Sequence, residues 1–198
     1  MKKHRQQKLI PNMKVQNAHG GSLAVGRRRS RRPLSTKHPI HITFKSDLAK
    51  GPRSLMKHQK MIEAVVYKWA KRFHISVYQK AVAGNHIHLL VRGKTRVKIQ
   101  NFFRVVSGQI AQEILRHSPI APDSHNQSSN AQNLTSTRAP TCLKNRRTFW
   151  SFLIYSRLLT CWREFKTVSK YIIQNKLEAL NLVAYRPRKI RPRIGNTG

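Results

Sequence analysis

The sequence predicts an α+β fold: a ferredoxin-like or RRM-like antiparallel sheet of βαββαβ type, with helices on one face and a further helix at the C-terminal end. Two patterns carry this. Residues 38–46 and 75–92 alternate apolar and polar side chains with period 2 or run apolar between turn residues, as strands do. Residues 55–73, 95–116 and 160–182 repeat apolar side chains at helical spacing. A third observation sets the partner. With 40 Lys+Arg against 6 Asp+Glu, a formal +34, the 198-residue chain would repel itself unless it met a polyanion, and nucleic acid is the general case.

Taken in order, residues 1–36 hold ten Lys/Arg and no acid, including the run Arg27, Arg28, Arg29, Arg31 and Arg32. With Gly20, Gly21 and Gly26 nearby, this segment reads as a basic flexible arm. In the first strand Ile40, Ile42 and Phe44 alternate with His41, Thr43 and Lys45. The first helix aligns Leu55, Ile62, Val65, Val66, Trp69 and Phe73, with Ser54 as its expected N-cap. A hairpin through Gly84-Asn85 joins the strands at 75–84 and 86–92. The second helix aligns Ile99, Phe102, Val106, Ile110 and Ile114.

Residues 117–147 turn to Ser, Asn, Gln, Thr and Pro without hydrophobic period, which predicts a flexible insertion. A short strand or extended segment is expected at 148–159. In the last helix Trp162, Phe165, Val168 and Ile172 form an apolar stripe beside the polar positions Glu164, Thr167, Tyr171, Asn175 and Glu178. Residues 183–198 end the chain as a basic tail with five Lys/Arg, so the domain is expected over 37–182.

Several chemistries can be set aside. The six acids are scattered, which argues against a two-metal carboxylate site. No GxxxxGK loop is present, and two cysteines cannot make a disulfide scaffold. The sequence contains no apolar run of the ~18 residues a membrane helix needs and no signal-peptide core, so a cytoplasmic, nucleoid-associated protein is expected.

The segment from Asn85 to Leu90 is the informative one. On a strand His86, His88 and Leu90 face one way and Ile87, Leu89 and Val91 the other, which is wholly apolar and must be the core face. Two imidazoles about 6 to 7 Å apart on the open face can chelate one divalent ion, or serve as ordinary phosphate contacts. Likewise a tyrosine bordering a helix stripe is either half-buried packing or a functional group.

These residues resemble a known family. HITFKS, GNHIHLLV and SKYIIQNKLEAL are similar to signature blocks of the IS200-like single-tyrosine HUH transposases, closest to the REP-associated tyrosine transposases. The His-hydrophobic-His block is matched by His86-Ile87-His88, and the tyrosine-helix block by Tyr171 through Asn175. Thr148-Phe149-Trp150 with Arg157 is similar to a Trp segment followed by an Arg. Lys176, Leu180 and Ser151 depart from the family pattern, where Pro, Gly and Gln are usual.

The resemblance implies Tyr171 as the catalytic nucleophile, with His86, His88 and Asn175 as ligands of Mg²⁺ or Mn²⁺. It implies nicking and rejoining of single-stranded or hairpin DNA through a 5′-phosphotyrosine, by a monomer or a homodimer. Arg27, Arg28, Arg29, Arg31, Arg32, Lys94, Arg96 and Lys98 are the expected DNA-binding residues. Tyr155 stands second as nucleophile, and His41 is expected at most at the edge of the site. The alternative is a non-catalytic nucleic-acid-binding protein, either an inactive or repurposed relative or an RRM-like RNA-binding module.

Overall fold

The computed structural model describes residues 17–26, 30–118 and 148–185. Arg27, Arg28 and Arg29, nearly all of the insertion expected at 117–147, and most of the C-terminal tail lie outside the described residues. The elements run β1 (Ala18–His19), β2 (Ile40–Lys45), α1 (Gln59–Phe73), β3 (Ile75–Val82), β4 (His86–Gly93), α2 (Arg96–His117), β5 (Tyr155–Leu158) and α3 (Trp162–Ala179).

The strands form one sheet in the order β1-β5-β2-β4-β3, and every pairing is antiparallel. The four strands β5-β2-β4-β3 with α1 and α2 make the βαββαβ unit expected from the sequence. Ile40, Ile42 and Phe44 of β2 sit opposite Val91, Leu89 and Ile87 of β4, all six within 1% of full burial. The apolar faces of α1 (Ile62, Val66, Ala70) and α2 (Ile99, Phe102, Val106, Ile110, Ile114) cover this side and complete the main core. Thr95 caps α2 as an N-cap should, its hydroxyl accepting from the Lys98 amide.

The second face of the sheet carries α3 over β3 and β4. A smaller core of Ala81, Leu90, Leu159 and Ile172 holds the helix down, with Phe165, Val168 and Tyr171 packed around it. Only part of that face is therefore open, where β2 and β5 lie beyond the helix.

Three local features differ from the sequence reading. Ser54 closes a 3-10 turn at Gly51–Arg53, and α1 starts after His58, because Leu55 is drawn off by the Gly84 carbonyl at 2.9 Å. Trp162 is 65% exposed, stacked on Phe165 at the open start of α3 instead of joining the stripe below it. Residues 18–19 of the expected arm add an edge strand to β5, and the Gly21 amide donates to the Leu153 carbonyl at 2.7 Å. Two paired residues show no hydrophobic period, so nothing local announces them.

Candidate active site

Register builds the site. Thr43 on β2 lies opposite His88 on β4 and Tyr155 on β5, so Tyr155, Thr43 and His88 form one row across the sheet. The next row is Arg157, His41 and Leu90. Lys45 faces His86 one step further along. All these side chains leave the face opposite the main core, because the intervening residues Ile40, Ile42 and Phe44 are claimed by it.

Helix α3 then brings Tyr171 across. Its ring lies 5.2 Å from the His88 ring and 6.0 Å from the His41 ring, edge-on to both. The His86 and His88 rings are 4.8 Å apart at 73°. His86 Nδ1 is 2.7 Å from Asn85 Oδ1, which fixes a proton on that nitrogen. His88 Nδ1 is 3.0 Å from Thr43 Oγ1 and 3.2 Å from His41 Nε2. Asn175 is buried one turn beyond Tyr171, and its amide nitrogen donates to the Tyr171 carbonyl at 2.7 Å.

A cavity of about 580 Å³ opens here, lined by His41, Thr43, Lys45, His88, Tyr155, Arg157 and Tyr171 among others. The sequence-derived residues His88 and Tyr171 thus share one cavity, whereas His86 and Asn175 border the group without lining it. Two cations, Lys45 and Arg157, stand in the same wall. Among the described residues no three of His, Cys, Asp and Glu group as a metal site. A cation here would rest on imidazole and amide donors. The residues present fit that use, since both histidines turn Nδ1 toward a hydrogen-bond partner, as ligating imidazoles do.

His41, expected at most at the edge of the site, lines the cavity. It is 7% exposed, and its pKa falls from 6.5 to about 4, first through burial and then through the nearby Arg157 charge. The ring is neutral at pH 7. Tyr155 meets it edge-on at 6.2 Å. Burial raises the Tyr155 phenol against the opposing pull of Arg157, so its phenolate is scarcer than that of an exposed tyrosine. The signal that could have located His41 was its alternation with Ile40 and Ile42, which puts it on the face of His88.

Of the expected DNA-binding cations, Arg31 and Lys94 are exposed. Arg32 is partly used by the fold: its guanidinium donates to Ser156 Oγ at 2.8 Å and lies over the Phe103 ring, and its burial lowers its pKa. Arg96 reaches the Arg32 carbonyl at 2.7 Å. Lys94, Arg96 and Lys98 cluster at the amino end of α2, where positive side chains oppose the helix dipole and an anion would relieve both.

Comparison with known proteins gives the same direction. The family model described as "Transposase IS200 like" matches residues 37–130, a segment that holds both histidines and ends before the tyrosine helix. A solved REP-associated tyrosine transposase bound to a REP hairpin superposes with a TM-score of 0.52 at 11% identity, over 77% of this chain and 74% of that one. A candidate transposase from Deinococcus radiodurans R1 reaches a TM-score of 0.38 at 13% identity, over 75% of this chain and 98% of that one, too low to bear on the fold. No curated protein matches the chain. Residues 37–130 are thus similar to the IS200-like transposase family, and the fold is similar to that of a solved REP-associated tyrosine transposase.

Proposed function

We propose that this protein nicks and rejoins single-stranded DNA at a hairpin, with Tyr171 as nucleophile, in the manner of DNA transposition. The observation that supports this most is the position of the Tyr171 ring, 5.2 Å from His88 in a cavity that also presents Lys45 and Arg157. A phosphate entering that cavity would meet a phenol on one side and two cations on another. The solved relative holds a hairpin, and an open sheet face on a chain of net charge +34 suits such a substrate.

In this reading Tyr171 Oη attacks the phosphorus. A phosphotyrosine bond forms to the 5′ side, the bond to the 3′ oxygen breaks, and that oxygen leaves as a hydroxyl after taking a proton from solvent. The phenolic proton departs to water at the cavity mouth as the oxygen bonds to phosphorus. Lys45 and Arg157 offset charge on the phosphate oxygens. His86 and His88 through ring nitrogens, and Asn175 through its amide oxygen, would hold a divalent cation, Mg²⁺ or Mn²⁺. When bound, such an ion polarises the scissile phosphate. Rejoining reverses the exchange without ATP, because the phosphoester bond is kept.

The experiment is cleavage of labelled single-stranded hairpin DNAs with Mn²⁺, comparing wild type, Tyr171→Phe and His88→Ala. The expected result is a denaturation-resistant protein–DNA adduct in wild type only. An adduct that survives Tyr171→Phe would move the nucleophile, first to Tyr155. Tight, salt-sensitive binding with no adduct from any hairpin would make the protein a binder and not an enzyme.

A further inference from the structure

We propose that His41 is a positioning residue that holds His88 in the one tautomer able to ligate a cation. The proposal rests on the reading of His86 and His88 as metal ligands. Its geometry is independent of that reading: His41 Nε2 and His88 Nδ1 are 3.2 Å apart, with the two rings stacked at 5.2 Å and 29°. Both residues are buried, at 7% and 4% exposure, so neither ring nitrogen in this pair is left to water.

A neutral imidazole has one N–H and one lone pair. With Nδ1 committed to the His41 and Thr43 side, a cation could meet His88 only through Nε2. That requires the His88 proton on Nδ1, and a buried N–H needs an acceptor. His41 Nε2 supplies one when its own proton is on Nδ1. The reverse arrangement, with His41 Nε2–H donating to His88 Nδ1, would leave the His88 proton on Nε2 and close that nitrogen to a metal. Thr43 Oγ1, 3.0 Å from His88 Nδ1, can donate or accept and so cannot make the choice alone.

Strand pairing explains why His41 can do this. Thr43 sits directly opposite His88, which leaves His41, two residues back on the same face, as the diagonal neighbour whose longer ring reaches across. A leucine would fill this place with less desolvation cost, so the imidazole here points to its hydrogen bond.

The test uses the full chain and Mn²⁺ alone as probe. Free Mn²⁺ is followed by electron paramagnetic resonance in wild type, His88→Ala, His41→Leu, His41→Gln and His41→Asn. Imidazole ¹⁵N spectra of the metal-free proteins report the His88 tautomer. His41→Leu should weaken Mn²⁺ binding by about ten- to a hundred-fold, the range for removing a partner behind a ligand. His41→Gln, whose oxygen can reach the Nε2 position, should recover most of it, and His41→Asn, one atom shorter, should not. His88 should be the Nδ1–H form in wild type and shift toward Nε2–H in His41→Leu.

Wild-type Mn²⁺ affinity in His41→Leu, beside a loss in His88→Ala, would overturn the proposal alone. Unchanged Mn²⁺ binding in His88→Ala would overturn the metal reading and this proposal with it. If His41→Leu does not fold, the Gln and Asn variants decide: equal affinity in the two overturns the proposal.

Discussion

Arg157 Nη2 donates to Glu164 Oε1 at 2.7 Å, tying strand β5 to the first turn of α3. The other carboxylate oxygen accepts from the Thr160 amide at 2.8 Å and its hydroxyl at 3.1 Å. One side chain thus clamps the entry to the helix that carries Tyr171.

Glu164→Gln should therefore lower stability by about 1 kcal/mol, mostly through the weakened amide bond, because the Arg157 end is too exposed to add much. The Thr160 amide, against some burial and with help from Arg157, holds the Glu164 carboxyl below its ordinary 4.5. A depressed carboxylate stabilises above its unfolded pKa and loses that contribution as pH falls through the folded value. Urea midpoints at pH 7 and at pH 3 should differ less in Glu164→Gln than in wild type.

His41 gives a second pH dependence in a different window. Its pKa is about 4 in the fold and 6.5 when exposed, so between those values the unfolded chain binds the extra proton. The metal-free protein should lose stability as pH falls from 6.5 toward 4, by at most about 3 kcal/mol. His41→Gln should flatten that stretch of the urea-midpoint curve. An unchanged slope would mean the ring is solvated.

Gly20 has a φ of +82°, and a Cβ built there would stand 2.1 Å from the Ile154 carbonyl oxygen. Gly20→Ala should cost about 2 kcal/mol or more and release β1 from β5, since both the dihedral and the backbone contact forbid the methyl group. Faster amide exchange at Gly21, whose N–H is held by Leu153, would report the release.

Ile172 is fully buried against Leu90, Ala81 and Leu159. Ile172→Ala should cost about 2–4 kcal/mol by loss of burial and cavity formation. Because this contact holds α3 on the sheet, adduct formation should fall more than hairpin affinity. Equal losses in the two assays would mean that α3 is part of the DNA-binding surface itself.

The legible parts of the fold were those in which one face is apolar and the other polar. Ile40, Ile42 and Phe44 on β2, the His86–Gly93 strand and the stripe of α2 could be read directly. His88 and Tyr171 were legible as a pair through family blocks, yet nothing in their spacing gave the distance between them, which depends on how α3 crosses the sheet. His41 was legible only as a residue of the site's edge, because a lone histidine on a half-buried strand has many ordinary explanations. Ser54 misled because a serine before an apolar run looks like a cap wherever it stands. Trp162 misled because periodicity does not know where a helix overhangs its support.

The hairpin strand β3 holds a last lesson in its pairing with β4. Val77 sits opposite Val91, but Gln79 sits opposite Leu90, so Tyr78 is an extra residue in the ladder. The strand changes phase there. Ile75 and Val77 feed the main core, yet beyond Tyr78 it is Val82 that does, while Lys80 turns to α1 and pairs with Glu63 at 2.6 Å. The small Ala81 is thereby delivered beneath α3, next to Ile172. Without that one-residue offset, the lysine would lie under the tyrosine helix and the alanine under α1. The seat of α3, and the height at which Tyr171 rides over the histidines, is set by a single inserted residue in the outermost strand.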